Sequence, residues 1–208
     1  PPVMLFPKLG LYAITAESPA SPEQLANQVR AALRGGAKVI QYRAKSSADR
    51  HAEASLVLAE CRAAQVPLII NDDIGLALAV GADGVHLGKD DGTAAQARQV
   101  LGASAIIGVS CYDSLERARA AQAEGADYVA FGRFFPSASK PHAPCARLET
   151  LALARRALTL PIVAIGGITP DNGGALLQAG ADVLAVIDGV FGRGDAEAAA
   201  LAFQPLFG

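Results

Sequence analysis

The stretch Gly81-Ala82-Asp83-Gly84-Val85-His86 joins the end of an alanine-rich, helix-compatible run to a short apolar run that is typical of a β-strand. Because glycine adopts left-handed backbone conformations without steric cost, it is well suited to end a helix before a turn and a strand. Related stretches occur at three other places, so the sequence predicts four copies of one helix–turn–strand unit. The other copies are Gly36-Ala37-Lys38-Val39-Ile40-Gln41, Gly125-Ala126-Asp127-Tyr128-Val129-Ala130 and Gly180-Ala181-Asp182-Val183-Leu184-Ala185.

Further strand candidates lie between the copies and bring the predicted total to eight strands. Their ranges are 11–15, 39–43, 67–71, 84–88, 105–110, 128–133, 161–166 and 183–187. Most are short apolar runs, which are typical of strands buried on both faces of a parallel sheet. Helix-compatible runs fill the intervals, and those at 73–81 and 92–102 are short. The pattern predicts an α/β fold, a compact (β/α)₈ TIM barrel that forms a single domain over residues 1–208. An open doubly wound sheet has the same local pattern, but eight units favour closure.

The composition excludes several classes of protein. The chain has 208 residues, of which 51% are hydrophobic and 18% are charged, so it can bury a large core and is not expected to be disordered. Its formal net charge of −2 and its lack of tryptophan argue against a nucleic-acid partner. No apolar run approaches the length of about 18 residues that a membrane helix needs, so no membrane partner is expected. Three widely spaced cysteines predict reduced thiols and a cytoplasmic location.

Functional residues of a TIM barrel collect in the loops after the carboxyl ends of its strands. In this chain those positions hold cations, small hydroxyl residues and glycine turns, which together suit a phosphate or pyrophosphate group. They also hold amide and carboxylate oxygens, the ligands that a phosphate-bound Mg²⁺ prefers. The cations are Arg43, Lys45 and Lys140, and the oxygen donors are Asn71, Asp72 and Asp91. We therefore expect a polyphosphate substrate held through a metal ion.

Each of these residues also has a simpler explanation. A single cation in a loop is usually solvated, and an aspartate such as Asp72 or Asp73 before a helix can serve as an N-cap. The pair Gly166-Gly167 can be explained by a tight turn alone. His86 alternates with apolar neighbours, which favours a packed, hydrogen-bonded histidine over a catalytic one. No histidine lies beside Cys111, so we expect no nucleophilic thiol there. The shared placement of the polar residues after the strands is the argument for a functional site.

The residues that follow the strands resemble the motifs of the thiamine-phosphate synthase family. The resemblance runs from about Leu11 to Phe191. The family motifs Gln-x-Arg-Glu-Lys, Ile-Asn-Asp, Gly-Val-His-Leu-Gly-Gln-x-Asp, Pro-Thr-x-Thr-Lys and Ala-Ile-Gly-Gly-Ile are matched by 41–45, 70–72, 84–91, 136–140 and 164–168. The chain departs at Ala44, where the family has an acidic residue, at Lys89, and at Ser137 and Ser139, which replace threonines but keep their hydroxyls. No single motif is decisive, but five in the right order make a strong match.

The resemblance implies a transferase that joins 4-amino-2-methyl-5-(diphosphooxymethyl)pyrimidine to a thiazole phosphate, giving thiamine phosphate and pyrophosphate in thiamine biosynthesis. It places the pyrimidine diphosphate on Gln41, Tyr42, Arg43, Ala44, Lys45, Asn71, Ser110 and Lys140, and Mg²⁺ on Asp72 and Asp91. It places the thiazole phosphate on Ser137, Ala138, Ser139, Gly167, Ile187 and Asp188. Arg43, Lys45, Ser110 and Lys140 are the candidate catalytic residues. Because the Asp188 carboxylate would repel a phosphate, only its backbone is expected to take part.

Three alternatives remain at this point. A thiazole tautomerase shares the barrel, but its base is expected to be a histidine after the fifth strand, where this chain has Ser110-Cys111-Tyr112-Asp113. A Schiff-base aldolase needs a buried lysine within a strand, and no predicted strand contains one. The third alternative is a non-enzymatic phosphate-binding module. The expected partners are small-molecule substrates, and a homo-oligomer is compatible with the sequence.

Overall fold

The computed structural model describes residues 3–17, 21–136 and 144–208. Eight parallel strands pair in sequence order, and the first pairs with the last to close a barrel. The strands are β1 Gly10–Ile14, β2 Val39–Tyr42, β3 Leu68–Asn71, β4 Gly84–Leu87, β5 Ile106–Tyr112, β6 Tyr128–Gly132, β7 Ile162–Ile165 and β8 Val183–Val186. The predicted TIM barrel is confirmed, with every strand bound within two residues of its predicted position, and the open-sheet alternative is wrong.

Helices follow the strands around the outside of the barrel. They are α1 Pro22–Arg34, α2 Arg50–Ala64, α3 Ile74–Val80, α4 Ala94–Leu101, α5 Leu115–Ala123, α6 Leu148–Ala157, α7 Gly173–Ala179, α8 Asp188–Phe191 and α9 Ala196–Phe203, with a 3₁₀ turn at Gln204–Phe207. Side-chain caps start several of them: Ser21 accepts from the Gln24 N–H, and Thr93 and Gln96 form a reciprocal capping box. Within the described ranges, no helix has the length and apolarity to cross a membrane.

The four repeated glycines lie at the ends of helices, as the sequence predicts. Gly36, Gly81, Gly125 and Gly180 all have positive φ, from +76° to +134°. At Gly81 this conformation lets the backbone N–H bond back to the Ala77 and Leu78 carbonyls and end α3. A side chain at these positions would be strained in the same conformation, which explains why glycine occurs in every copy.

An aspartate two residues after the glycine ties three of the copies to the neighbouring strand at the amino-terminal face of the barrel. Asp83 Oδ2 accepts the Leu68 N–H at 2.8 Å and an Arg62 N–H at 2.8 Å, while the Asp83 N–H donates to the Leu68 carbonyl at 3.0 Å. Asp127 makes the same contacts with Ile107 and Arg98, and Asp182 makes them with Ile162 and Arg155. We call these three groups the base clamps. They fix the start of β3, β5 and β7 against the strand that follows.

The barrel interior is filled from alternate positions of the strands, and two tyrosines are its largest members. Tyr12 and Tyr128 are fully buried, with ring centroids 5.9 Å apart in an edge-to-face arrangement. A Cβ on Gly108 would lie 1.9 Å from the Tyr128 ring, so this position of β5 must be glycine for the ring to fit. Phe6, in the segment before β1, stacks on Tyr128 with centroids 4.1 Å apart and closes the amino-terminal mouth of the barrel.

Candidate active site

A cavity of about 400 Å³ opens at the carboxyl ends of the strands. Seven of the polar residues that the sequence predicts for the site line it, together with the backbone-contact candidate Ile187. The seven are Gln41, Arg43, Lys45, Asn71, Asp72, Asp91 and Ser110. A more open space of about 460 Å³ adjoins it, lined by Ala44, Lys45, Arg50 and the acidic residues that follow β3 and β4. The structure therefore brings residues from four strands, β2 to β5, into one concave surface.

The loop after β2 carries the two cations, and the loop after β1 holds it in place. The Arg43 N–H donates to Thr15 Oγ1 at 2.9 Å, and the Lys45 N–H donates to Glu17 Oε1 at 2.8 Å. The same carboxylate oxygen lies 3.7 Å from Arg43 Nη1. Glu17 thus contacts both cationic residues, and it was not identified from the sequence. Ala44, which lies between the two cations, has no side-chain oxygen with which to contact them. Glu17 supplies a carboxylate from the neighbouring loop instead.

Two carboxylates face each other across the ends of β3 and β4. Asp72 has a left-handed backbone with φ +67°, held by its N–H donating to the His86 carbonyl at 2.8 Å. Burial raises the pKa of the Asp72 carboxyl, and the nearby Asp91 carboxylate raises it further, whereas the positive charges of Lys45 and Arg43 lower it. Asp91 Oδ2 accepts the Gly88 N–H at 2.7 Å, and Lys45 Nζ lies 4.0 Å from Asp72 Oδ2. Among the described residues, no group of three or more His, Cys, Asp or Glu side chains could hold a metal.

A chain of hydrogen bonds, buried at Tyr12 and partly buried at His86, crosses the floor of the cavity. Gln41 Nε2 donates to the Tyr12 hydroxyl at 2.9 Å, and the Tyr12 and Tyr128 hydroxyls are 2.8 Å apart. The Tyr128 hydroxyl is 2.7 Å from His86 Nδ1, and His86 Nε2 is 2.7 Å from Ser110 Oγ. The two ends of this chain, Gln41 and Ser110, line the cavity. The prediction that His86 is a packed, hydrogen-bonded residue is confirmed.

Burial sets the protonation of the groups beneath the cavity. It lowers the pKa of His86 to about 4, so the imidazole is neutral at physiological pH, with the Asp91 charge opposing the shift. Burial raises the pKa of the Tyr12 and Tyr128 hydroxyls. It also raises the pKa of the Cys111 thiol to about 12, which agrees with the expectation that this thiol is not a nucleophile. No lysine occurs in any of the eight strands, so the aldolase alternative lacks its Schiff-base residue.

The remaining predicted residues have different placements. The prediction for Tyr42 is corrected: its side chain lies on the outer face of β2, where its hydroxyl donates to Glu53 of α2 at 2.9 Å, and Tyr42 does not line the cavity. Asp188 does not line the cavity, and the role expected for its backbone stays a prediction. Gly167 packs against the Phe135 and Pro136 backbone, where a Cβ would lie 2.7 Å from the Phe135 carbonyl oxygen. Ser137, Ala138, Ser139 and Lys140 lie outside the described residues.

A barrel with cations, paired carboxylates and a hydroxyl gathered at the carboxyl ends of its strands defines a class of enzymes that act on phosphorylated substrates. Comparison with known sequences then identifies the family. The chain belongs to the thiamine monophosphate synthase family, whose sequence model matches residues 11–190. The resemblance found in the motifs is confirmed.

Individual relatives agree with this assignment. Thiamine-phosphate synthase of Methylococcus capsulatus is 53% identical to this chain and aligns with 97% of it and 91% of its own length. The enzyme of the same name from Thiobacillus denitrificans is 52% identical, over 95% and 94% of the two chains. The solved structure of thiamine phosphate pyrophosphorylase from Pyrococcus furiosus superposes with a TM-score of 0.84, at 36% identity, over 96% of each chain.

Proposed function

We propose that this chain couples 4-amino-2-methyl-5-(diphosphooxymethyl)pyrimidine with a thiazole phosphate to form thiamine phosphate and pyrophosphate by a dissociative mechanism. The chain is a thiamine-phosphate synthase by family, an enzyme of the transferase class in thiamine biosynthesis. The single observation that carries the mechanism is the meeting of Arg43, Lys45, Asp72 and Asp91 on one wall of the cavity. Such a wall suits a departing diphosphate.

The reaction breaks one bond and forms another. The C–O bond between the pyrimidine methylene and the diphosphate breaks, and its electron pair leaves with the diphosphate. The resulting cation is stabilised by the electron-donating amino group of its own ring. The thiazole nitrogen then donates a lone pair to the methylene carbon. Neither step needs a nucleophilic side chain, which agrees with the buried, protonated Cys111 thiol.

The residues of the cavity have distinct roles in this mechanism. Arg43 and Lys45 neutralise charge on the leaving diphosphate, and Ser110 and Asn71 donate hydrogen bonds to it. Gln41 contacts the pyrimidine, and the deep cavity aligns the two substrates. Lys140 adds a further cation to the diphosphate, and Ser137, Ala138, Ser139, Gly167 and the backbone of Ile187 and Asp188 receive the thiazole phosphate, as the family motifs indicate.

The residues present fit a divalent cation such as Mg²⁺. Burial raises the pKa of the Asp72 carboxyl, and the neighbouring Asp91 carboxylate raises it further, so the two side chains are close enough to repel each other when both are ionised. Asp72 and Asp91 would hold a hard cation through their carboxylate oxygens, and its charge would relieve that repulsion. When bound, it supplies positive charge that stabilises the departing diphosphate.

The test is an assay of pyrophosphate release by the purified chain. Pyrophosphate and thiamine phosphate should appear in equal amounts when both substrates and Mg²⁺ are present, and EDTA should abolish the reaction. Thiazole isomerisation without pyrophosphate release would favour the tautomerase alternative. Binding of both substrates with no turnover would favour the non-enzymatic module. Full activity in EDTA would contradict the metal assignment alone.

We also infer a cytoplasmic location and leave a homo-oligomer as an expectation. Cys61, Cys111 and Cys145 are all free, which is typical of proteins in a reducing compartment. Fractionation of the source cells tests the location. Light scattering of the purified chain measures the oligomeric state.

A further inference from the structure

The hydrogen-bonded chain Gln41–Tyr12–Tyr128–His86–Ser110 can run in only one of two directions at a time. We call it the floor chain. Each of its four links contains one hydrogen atom between two heavy atoms. Each tyrosine hydroxyl has one proton to donate, and a neutral imidazole carries one proton on either Nδ1 or Nε2. If every link is to be made and neither buried tyrosine proton is to be left without an acceptor, the direction of one link fixes the direction of all the others.

We propose that the floor chain runs from Gln41 to Ser110 and thereby presents an acceptor, Gln41 Oε1, and a donor, the Ser110 hydroxyl, to the substrate. His86 is then a positioning residue, held in its Nε2–H form. The inference deepens the proposed function and rests on it for the identity of the substrate. The direction of the chain is a property of the free protein and can be measured separately.

The geometry supports this direction from its first link. Gln41 donates Nε2–H to the Tyr12 hydroxyl, so the Tyr12 proton is available for Tyr128. Tyr128 then donates to His86 Nδ1, which leaves the imidazole proton on Nε2, from where it is donated to Ser110 Oγ. Ser110 accepts that bond, and its own proton is free to point into the cavity.

The two ends match the two parts of the proposed substrate. An amino group on a pyrimidine ring is a hydrogen-bond donor, and Gln41 Oε1 is left to accept from it. A diphosphate oxygen is an acceptor, and the Ser110 hydroxyl is left to donate to it. With the chain reversed, Gln41 would present its NH₂ to the amino group and Ser110 would present only lone pairs to the diphosphate. Both contacts would then be lost together, because the chain couples them.

Neutrality of His86 is required for this coupling. An imidazolium would donate from both nitrogens, and its Nδ1–H would oppose the proton of Tyr128. The contacts of the ring disfavour that state, because His86 stacks at 5.6 Å on the Tyr128 ring and each of its nitrogens lies 2.7 Å from an uncharged hydroxyl, of Tyr128 or of Ser110.

The direction can be measured by nitrogen NMR on substrate-free protein labelled in its three histidines. His86 should show the Nε2–H form in excess over Nδ1–H by at least about tenfold, the ratio that corresponds to about 1.4 kcal/mol, roughly one net hydrogen bond. Exposed His51 gives an internal reference for an unconstrained ring. A predominantly Nδ1–H His86 would overturn the proposal.

Gln41→Glu is the sharpest variant, because an ionised carboxylate can only accept from Tyr12. The chain should reverse, and His86, three links away, should change to the Nδ1–H form when spectra are recorded at about pH 8 or above, where the new carboxyl is ionised. No change in the His86 form would show that the links are not coupled. If this variant does not fold, Tyr128→Phe removes only the central oxygen and should leave His86 as a mixture of both forms.

Tyr42→Phe is the matched control, since it removes a buried tyrosine hydroxyl that bonds to Glu53 and lies outside the floor chain. It should leave the His86 form unchanged. In the coupling assay, Tyr128→Phe should lower kcat about tenfold with a smaller change in KM for the pyrimidine diphosphate. The floor-chain proposal is overturned if wild-type His86 is not mainly in the Nε2–H form or if Gln41→Glu does not change that form. If the His86 forms are as expected but the wild-type protein shows no turnover, the result counts against the proposed substrates.

Discussion

Arg43 is less exposed than Lys45, with 29% of its side chain accessible against 61%, and its removal should slow the reaction without unfolding the protein. Loss of one charge-assisted contact to a departing anion costs about 3 kcal/mol, so Arg43→Ala should lower kcat by about 100-fold. Lys140→Ala should have a similar effect. Steady-state kinetics and a urea unfolding curve measure the two properties. Arg156→Ala, in the exposed part of α6, is the control. Near-normal turnover of Arg43→Ala would remove it from the mechanism.

Glu17 acts on the reaction through Arg43 and Lys45, so its loss should be milder. The partly exposed ion pair and the hydrogen bond to the Lys45 N–H are together worth about 1 kcal/mol. Glu17→Ala should reduce kcat/KM about fivefold, and Glu17→Gln, which keeps one acceptor oxygen, should reduce it less. An equal effect of both variants would mean that charge alone matters. Unchanged kinetics in both would show that Glu17 does not orient the loop.

His86 should make the stability of the protein depend on pH. Its pKa is about 4 in the folded protein, against an ordinary value of 6.5, so the unfolded chain binds more protons between these values. The free energy of unfolding should therefore decrease as the pH falls from about 6.5 to 4, by about 2 kcal/mol from this residue. Urea unfolding of the wild type and of His86→Gln measures it. The two proteins should differ in slope only in that interval, and parallel curves would contradict the shift.

A residue of the site could be predicted from the sequence where it lies at the carboxyl end of a predicted strand. Arg43, Asn71, Asp72, Asp91 and Ser110 come at strand ends, and parallel strands bring those ends together. Partners that act across the barrel could not be predicted. Tyr12 and Tyr128 are 116 residues apart, and the bond between their hydroxyls depends on strand stagger and on the space that Gly108 leaves. The Tyr42 side chain was wrongly assigned to the site because the motif at 41–45 was assigned as a whole. Successive side chains of a strand face opposite sides of the sheet, so Gln41 and Tyr42 cannot both face the barrel interior.

The base clamps belong to the scale of secondary-structure elements, because each joins a helix, a turn and the start of a strand. Asp83 is the most enclosed of the three, with an 8% exposed side chain beside Arg62. Asp83→Ala would leave the Leu68 N–H without its acceptor and Arg62 without its carboxylate partner, and it should lower the free energy of unfolding by about 2 kcal/mol. Urea denaturation at neutral pH measures this.

The first repeat supplies the matched control for that measurement. It carries exposed Lys38 at the equivalent position, and only the backbone contact, from the Lys38 N–H to the Leu11 carbonyl at 2.8 Å, is the same. Lys38→Ala should change the free energy of unfolding by less than about 0.5 kcal/mol. Equal effects of the two substitutions would show that the clamp side chains add nothing to the backbone contact. The sequence contains the signal for the clamps, since aspartate fills this position in the other three copies.

At the scale of the whole molecule, the fold was predictable because the repeated glycines and buried apolar strands recur around the entire ring. Closure follows from the number of units. The plug at the amino-terminal mouth was not predictable, because Met4 and Phe6 belong to an irregular segment and reach the barrel interior only through the bend before β1. Neither residue has a periodic pattern that would indicate its burial.

Phe6 provides a test of that plug. Phe6→Ala would remove the ring that stacks on Tyr128 and should lower the free energy of unfolding by about 2 kcal/mol, less than for a fully buried phenylalanine. Leu5→Ala, one residue away and 80% exposed, is the control and should change it by less than about 0.5 kcal/mol. Chemical unfolding of both variants measures the difference, and equal effects would show that Phe6 does not close the barrel.

The Tyr128 side chain makes contacts toward both ends of the barrel. One face of the ring is covered by Phe6, while its hydroxyl reaches His86 and, through it, the wall of the cavity. A single aromatic layer therefore separates the first residues of the chain from the catalytic chamber. Heating that detaches those residues would loosen the ring and impair turnover before the barrel melts, so the temperature at which activity falls should lie below the midpoint of global unfolding.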